Sequence, residues 1–170
     1  MTGYVALLRA VNVGGRQLKM GDLKRIAGDL GLDSPRTFIA SGNLLFASDK
    51  SEPELKSTLE AALEKHLGAT VGVMIRSAKE LDRVAVANPF ADEPGNRVVA
   101  IFLDDPPPKG AIEAARNVAD ERMALGAREL YVHYPSGQGR SKLRIPAAAR
   151  GTARNMNSVT KLAELSKEEK

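Results

Sequence analysis

The order of short apolar segments in residues 1–76 is the feature that most limits how this chain can fold. Four apolar runs have strand character, at residues 4–11, 37–40, 44–47 and 71–75. Two segments carry apolar residues at helical spacing, at residues 20–30 and 51–67. Gly31 ends the first helix, and Ser51 with Glu54 forms a capping box for the second. The order strand–helix–strand–strand–helix–strand is typical of a ferredoxin-like α+β unit.

The second part of the chain has a similar order of elements. Strands are predicted at residues 98–103, 122–125 and 129–134, the last two as a hairpin around Gly126. Helices are predicted at residues 77–87, 111–118, 141–150 and 158–166. We therefore expect an α+β fold of two associated ferredoxin-like subdomains, 1–76 and 77–170. The second has the order βαββα plus a terminal helix, and together they are expected to form one compact structural unit.

The absence of cysteine limits the chemistry available to the chain. It excludes disulfides, thiolate metal sites and cysteine nucleophiles, and it fits a reducing compartment. No apolar run approaches the roughly 18 residues that a membrane span requires. Residues 1–10 also lack the apolar stretch of a signal peptide. These features predict a cytoplasmic protein with no membrane partner.

Positive charge is unevenly distributed along the sequence. The net charge is +4, and residues 136–161 contain six basic residues and no acidic residue. Residues 1–21 form a second stretch without acidic residues, which contains Arg9, Arg16 and Lys19. If the two stretches meet in space, they form a positive surface that suits anions. The alternative is that these are ordinary solvated charges.

Five sequence motifs occur in a fixed order along the chain. They are ALLRAVNVGG at residues 6–15, IASGNLLF at 39–46, NPF at 88–90, YPSGQGRSKL at 134–143 and TARNMNSVTKL at 152–162. In this order and spacing, the chain resembles the bacterial family called domain of unknown function 1697 (DUF1697). The resemblance extends over essentially the whole chain.

The resemblance implies more about fold than about function. It implies a pair of associated ferredoxin-like subdomains, in agreement with the predicted order of elements. The activity of the family is not established, so the resemblance transfers no catalytic residue. Met156 stands where the family usually has tryptophan. A tryptophan that stacks on a ligand would be poorly replaced, whereas methionine readily fills a packing position.

The strongest candidate site is the glycine-containing loop at residues 137–142. Gly137 and Gly139 allow backbone N–H groups to approach an anion closely, and the helix predicted to follow would offer unpaired N–H groups. Arg140 and Lys142 add positive charges, and Ser141 adds a donor. The alternative is a flexible loop in which Ser141 is an ordinary N-cap.

A second candidate lies at residues 152–161. Arg154 can bind a carboxylate or phosphate through two parallel hydrogen bonds. Asn155 or Asn157 can cap the last helix, and Lys161 lies one turn beyond Asn157 on the same face. The alternative is that the two asparagines only cap and that Arg154 makes a structural ion pair.

A weaker candidate combines the end of the first strand with the turn at residues 41–43. Arg9 and Asn12 are polar residues where a strand ends, and such positions are often functional. Gly42 is better explained by the backbone needs of a tight turn.

Other catalytic signals are missing from the sequence. The two histidines, His66 and His133, are predicted surface residues, and nothing places either beside a serine and a carboxylate. No metal-ligand spacing is present, and no cofactor is predicted. The sequence favours binding of a phosphate-bearing ligand, either a nucleotide or RNA. The alternatives are an enzyme that acts on a small anionic metabolite, and a non-catalytic interaction or structural module.

Overall fold

The computed structural model describes residues 1–9, 18–38 and 42–167 of the chain. Within these residues it has eight strands, in two four-stranded antiparallel sheets, and four α-helices. The predicted α+β class is therefore confirmed. The chain divides into two units, Met1–Leu81 with Leu162–Lys170, and Asp82–Lys161.

The first unit is built on one antiparallel sheet. Its strands are β1 (Thr2–Leu8), β2 (Asp33–Thr37), β3 (Asn43–Ser48) and β4 (Val73–Ser77), and its helices are α1 (Met20–Asp29) and α2 (Glu52–Leu67). The strand order is β2-β3-β1-β4. Side chains from this sheet and both helices form a single hydrophobic cluster, which includes Leu8, Leu23, Phe46, Leu59 and Ile75.

The termini of α2 follow the sequence signals. The Ser51 hydroxyl accepts a hydrogen bond from the Glu54 amide at 3.4 Å, as an N-cap does. Gly68 ends the helix with φ at 71°, a left-handed conformation that favours glycine. Both termini are therefore set by local sequence.

Strand β2 differs from the predicted strand at residues 37–40. It runs over Asp33–Thr37 and contains Pro35, which an edge strand tolerates because its outer N–H groups need no partner in the sheet. Residues 39 and 40 of the predicted strand lie outside the described residues.

The second unit also contains one antiparallel sheet. Its strands are β5 (Val98–Phe102), β6 (Arg122–Leu125), β7 (Glu129–His133) and β8 (Thr152–Asn155), in the order β6-β7-β5-β8. The β6–β7 hairpin is confirmed. The helices α3 (Ala78–Val86) and α4 (Met156–Lys167) each contribute residues to both units.

The helix predicted at residues 111–118 is wrong. Residues 109–114 form turns, and the Arg116 amide donates to the Arg144 carbonyl at 2.8 Å instead of continuing a helical ladder. Asn117 has a left-handed φ of 59°, which an α-helix does not accommodate. A strand-like pairing with a distant segment has therefore replaced the local helix.

The helix predicted at residues 141–150 is also wrong. Residues 141–145 are not helical, and only a short 3₁₀ turn, Pro146–Ala148, follows them. Pro146 disfavours helical geometry in the residue before it, and Ile145 is extended with φ −118° and ψ 103°. Leu143 and Ile145 pack against the core of the second unit.

Among the described helices, none is both long and apolar enough to span a membrane.

Candidate functional site

A surface cavity of about 560 Å³ lies between two loop segments of the second unit. We call it the loop cavity. Its lining residues are Asn117, Val118, Ala119, Asp120, Glu121, Tyr134, Ser136, Gly137, Arg140, Ser141 and Lys142. A volume in this range is typical of small-molecule sites.

One wall of the loop cavity begins where β7 ends. Tyr134 follows β7, and its carbonyl accepts from the Gly137 amide at 2.9 Å to close a turn. Gly137 has φ at 90°, so a side chain here would strain the backbone. The Arg97 guanidinium donates to the Pro135 carbonyl at 2.8 Å and holds the turn against β5. A 3₁₀ turn over Gln138–Arg140 then leads to Ser141.

The opposite wall, residues 117–121, is tied to the first wall by two hydroxyl–carboxylate contacts. The Ser136 hydroxyl donates to Asp120 at 2.6 Å, and the Ser141 hydroxyl donates to Glu121. The Ala119 amide also donates to Glu121, at 2.7 Å. The two walls are thus joined through the carboxylates rather than through an ion pair.

These contacts set the protonation of the cavity. The hydrogen bond from Ser141, followed by that from the Ala119 amide, lowers the pKa of Glu121. Burial, followed by the charge of Glu121, raises the pKa of Tyr134. At neutral pH Glu121 is therefore a carboxylate and Tyr134 keeps its hydroxyl proton.

The basic side chains of the loop cavity are available to a ligand. Arg140 and Lys142 are both exposed. Within the part of the chain that the structure describes, neither forms an ion pair. The acidic groups beside them already accept hydrogen bonds from Ser136 and Ser141.

A second cavity of about 570 Å³ adjoins the loop cavity. We call it the basic cavity. Its lining residues are Asn117, Ser141, Lys142, Leu143 and Arg144. Three of these, Asn117, Ser141 and Lys142, also line the loop cavity, so the two spaces share a wall.

The loop predicted as an anion site therefore lines a cavity, although no α-helix follows it. Gly137, Arg140, Ser141 and Lys142 all line the loop cavity, whereas Gly139 is exposed and does not. The predicted helix N-terminus is absent from this position, because Ser141 has an extended ψ of 139°. Any anion here would be held by side chains and by backbone groups of the turn.

Arg154 does not line either cavity. It is buried on β8, where its Nη1 donates to Thr152 Oγ1 at 2.7 Å and to the Ala153 carbonyl at 2.9 Å. Burial lowers the pKa of Arg154 to about 10, so the guanidinium stays charged at neutral pH. These two contacts are typical of a structural arginine, and its predicted role toward an anion stays a prediction.

The remaining residues of the second candidate lie along the start of α4. Asn155 Oδ1 accepts from the Ser158 amide at 2.9 Å, so the capping interpretation of Asn155 is confirmed. Asn157 packs over Gly95, and Lys161 is exposed one turn later. Met156 is 4% exposed, which is the packing position expected of a gap-filling methionine.

Of the weaker candidates, Arg9 belongs to the first unit, where its amide donates to the Gly72 carbonyl at 2.8 Å. Asn12 and Ser41 lie outside the described residues. Gly42 has φ at 85°, as the turn interpretation predicts.

The surface prediction for His133 is wrong. The residue is 5% exposed, because it lies on β7 between two charged side chains. Its Nδ1 lies 3.1 Å from Arg122 Nη2, and its Nε2 lies 3.4 Å from Glu93 Oε2. Phe90 covers this group, with Arg122 5.1 Å from its ring centroid. These side chains satisfy one another and anchor the loop before β5.

Sequence reasoning missed one whole wall of the loop cavity. Asn117, Asp120 and Glu121 fall in or just after a segment predicted as helix. Nothing in the sequence links Asp120 and Glu121 to the serines that they contact, which are 16 and 20 positions away. Pro146 was the one available signal against the predicted helix at 141–150.

Over the described ranges, no three His, Asp or Glu side chains form a group that could hold a metal ion.

Comparisons with known proteins indicate fold and family. A solved structure, that of a conserved bacterial protein from Streptococcus pneumoniae, is similar with a TM-score of 0.78 and 22% identity. The alignment covers 97% of this chain and 98% of that one, so the two share a fold. No curated protein matches the sequence. The model of the protein family of unknown function DUF1697 matches residues 1–131, and the chain therefore belongs to that family.

Proposed function

We propose that the protein binds a phosphate-bearing ligand in the loop cavity. One observation carries the proposal: Arg140 and Lys142 line the cavity without an ion-pair partner in the described residues, while the cavity's carboxylates are engaged by hydroxyl groups. Phosphate oxygens accept charge-assisted hydrogen bonds from such cations. Tyr134 also lines this wall.

The arrangement favours binding over catalysis by the Ser141–Glu121 pair. Glu121 would have to accept the proton of Ser141 for the hydroxyl to act as a nucleophile. Hydrogen bonds from Ser141 and Ala119 lower the pKa of Glu121, which makes this carboxylate a weak base. The pair instead holds the two walls at a fixed separation.

Titration calorimetry with inorganic phosphate and pyrophosphate tests the proposal. We expect saturable binding that Lys142→Ala weakens about tenfold or more, because a charge-assisted hydrogen bond contributes about 1.5–3 kcal/mol. Lys109→Ala is the matched control, since Lys109 is exposed in the same unit and lines neither cavity. Equal affinities for the two variants would refute the proposal.

Salt dependence distinguishes the two kinds of phosphate-bearing ligand. RNA binding falls steeply with salt, because several phosphate contacts release counterions. A small nucleotide with one or two phosphate contacts shows a much shallower slope. Titrations at two salt concentrations therefore separate a nucleotide from RNA.

We also propose that the first unit is ferredoxin-like in detail and that the protein works in the cytoplasm. The first unit has the element order β1-α1-β2-β3-α2-β4, which is the chain order of the ferredoxin-like motif with both of its crossover helices. This order supports the first proposal. The absence of cysteine supports the second, since it fits a reducing compartment.

A further inference from the structure

Alternating burial along residues 142–145 gives the basic cavity its charge. Leu143 and Ile145 turn inward and pack against the core of the second unit, whereas Lys142 and Arg144 are exposed. Successive side chains of an extended segment point to opposite sides. Lys142 and Arg144 are therefore directed to the outward side by the packing of their partly buried apolar neighbours.

A third cation, Arg116, lines neither cavity but is placed directly opposite Arg144 by a backbone pairing. Arg116 and Arg144 are directly opposite partners in an isolated antiparallel bridge, with N–H···O distances of 2.8 and 2.9 Å. Side chains directly opposite each other leave the same face, with Cβ atoms roughly 4.5–5.5 Å apart. Like charges in this position destabilise a strand pair. Neither arginine has an ion-pair partner in the described residues.

The two adjoining cavities differ in their acidic residues. The basic cavity is lined by Lys142 and Arg144 and by no acidic residue. The loop cavity is lined by Arg140 and Lys142 but also by the carboxylates of Asp120 and Glu121, together with apolar surface from Val118, which is 48% exposed. A ligand that filled both would have an anionic part and a part with apolar surface and hydrogen-bond donors.

We infer that the ligand is a nucleoside phosphate, whose phosphate group lies against Lys142, on the wall that the two cavities share, and beside Arg144 and Arg116. Its nucleoside part occupies the remaining space of the loop cavity. The inference rests on the phosphate-binding function proposed above. A phosphate bound between Arg116 and Arg144 offsets the electrostatic repulsion between their two positive side chains. The hydroxyl and amino groups of a nucleoside can donate to the carbonyl and carboxylate oxygens of the loop cavity, and its base can cover Val118.

Four probes test the inference on the full chain: inorganic phosphate, a mixture of nucleosides, the four common nucleoside monophosphates, and a hexanucleotide of RNA. We expect at least one nucleoside monophosphate to bind tenfold or more tightly than either phosphate or nucleoside alone. The hexanucleotide is expected to bind no more tightly than its best mononucleotide.

Two pairs of variants assign the two parts of the ligand. Arg144→Gln should weaken phosphate and mononucleotide alike by about tenfold, and it should not lower the melting temperature of the free protein, because it removes a like-charge contact. Val118→Trp, whose ring occupies the loop cavity, should weaken the mononucleotide about tenfold and leave phosphate unchanged. Lys109→Gln and Val86→Trp are the matched controls, since both positions are exposed and line neither cavity.

The outcomes separate this inference from the function on which it rests. If no phosphate-bearing probe binds, both are overturned. If phosphate binds but no mononucleotide binds more tightly, or Val118→Trp has no effect, only the nucleoside assignment is overturned. If the hexanucleotide binds more tightly than every mononucleotide and its affinity falls steeply with salt, the ligand is RNA and the mononucleotide assignment is overturned. If Arg144→Gln binds phosphate and mononucleotide as tightly as the parent protein, the position inferred for the phosphate group beside Arg144 is overturned.

Discussion

Substitution of Gly151 by alanine should destabilise the second unit, because no space exists for a methyl group there. Gly151 directly precedes β8 and lies beside β5. A Cβ on Gly151 would lie 2.7 Å from Ile101 Cγ2, 2.9 Å from the Phe102 carbonyl oxygen and 3.0 Å from Leu103 Cδ2. Carbon atoms in favourable contact are roughly 3.5–4.0 Å apart, so the chain would have to move by about 0.8 Å.

The magnitude of the effect follows from which atoms are crowded. Ile101 and Leu103 can shift their side chains, but the Phe102 carbonyl belongs to β5, which is paired on both sides by β7 and β8. Overpacking of this kind costs about 1–3 kcal/mol. For a chain of this length, a loss of about 2 kcal/mol corresponds to a decrease of roughly 4–8 °C in melting temperature.

Urea unfolding at 25 °C, followed by circular dichroism, measures this loss. Gly110→Ala is the matched control, because a methyl group on Gly110 would have no atom within 4 Å and Gly110 has no positive φ. That variant should be within about 1 kcal/mol of the parent or slightly more stable, since alanine restricts the unfolded chain. If Gly151→Ala and Gly110→Ala unfold at the same urea concentration, the close approach of Gly151 to β5 is wrong.

Two further predictions concern the start of α4 and the loop cavity. Asn155→Ala removes the acceptor of the Ser158 amide and should lower the free energy of unfolding by about 1 kcal/mol. Asn155→Asp keeps an acceptor oxygen and should retain most of this stability. Equal losses of stability in the two variants would contradict the role of Asn155 as a cap. Because the folded-state pKa of Glu121 is lowered, its contribution to stability is present above about pH 4.3 and is lost as pH falls through the folded value. The difference in urea midpoint between the parent and Ser141→Ala should therefore shrink from pH 7 into the acid range, and a constant difference would refute this coupling.

Elements with local signals were predictable from the sequence. Helix α2 begins after Ser51 and ends at Gly68, where a capping hydroxyl and a left-handed glycine act within one turn of the helix. The β6–β7 hairpin was predicted around Gly126 for the same reason, since turn chemistry is local.

The loop cavity was only half predictable. Glycine, arginine and lysine at residues 137–142 marked one wall, because their chemistry suits an anion. Its partner wall depends on the contacts of Ser136 with Asp120 and of Ser141 with Glu121. These pairs are 16 and 20 residues apart, and no periodicity or spacing in the sequence encodes them.

The sequence by itself determined the α+β class, the family, the caps of α2 and the basic character of residues 136–161. The caps and the basic character depend on residue type or on neighbours within a few positions, and the class and the family depend on the order of such local signals along the chain. Only the tertiary structure decided that residues 111–118 are not a helix, whereas Pro146 already disfavoured a helix over residues 141–150. The Arg116–Arg144 bridge and the packing of Leu143 and Ile145 supply long-range pairing and packing that override the local helical propensity of the alanines in these segments. The same long-range pairing places Arg116 directly opposite Arg144.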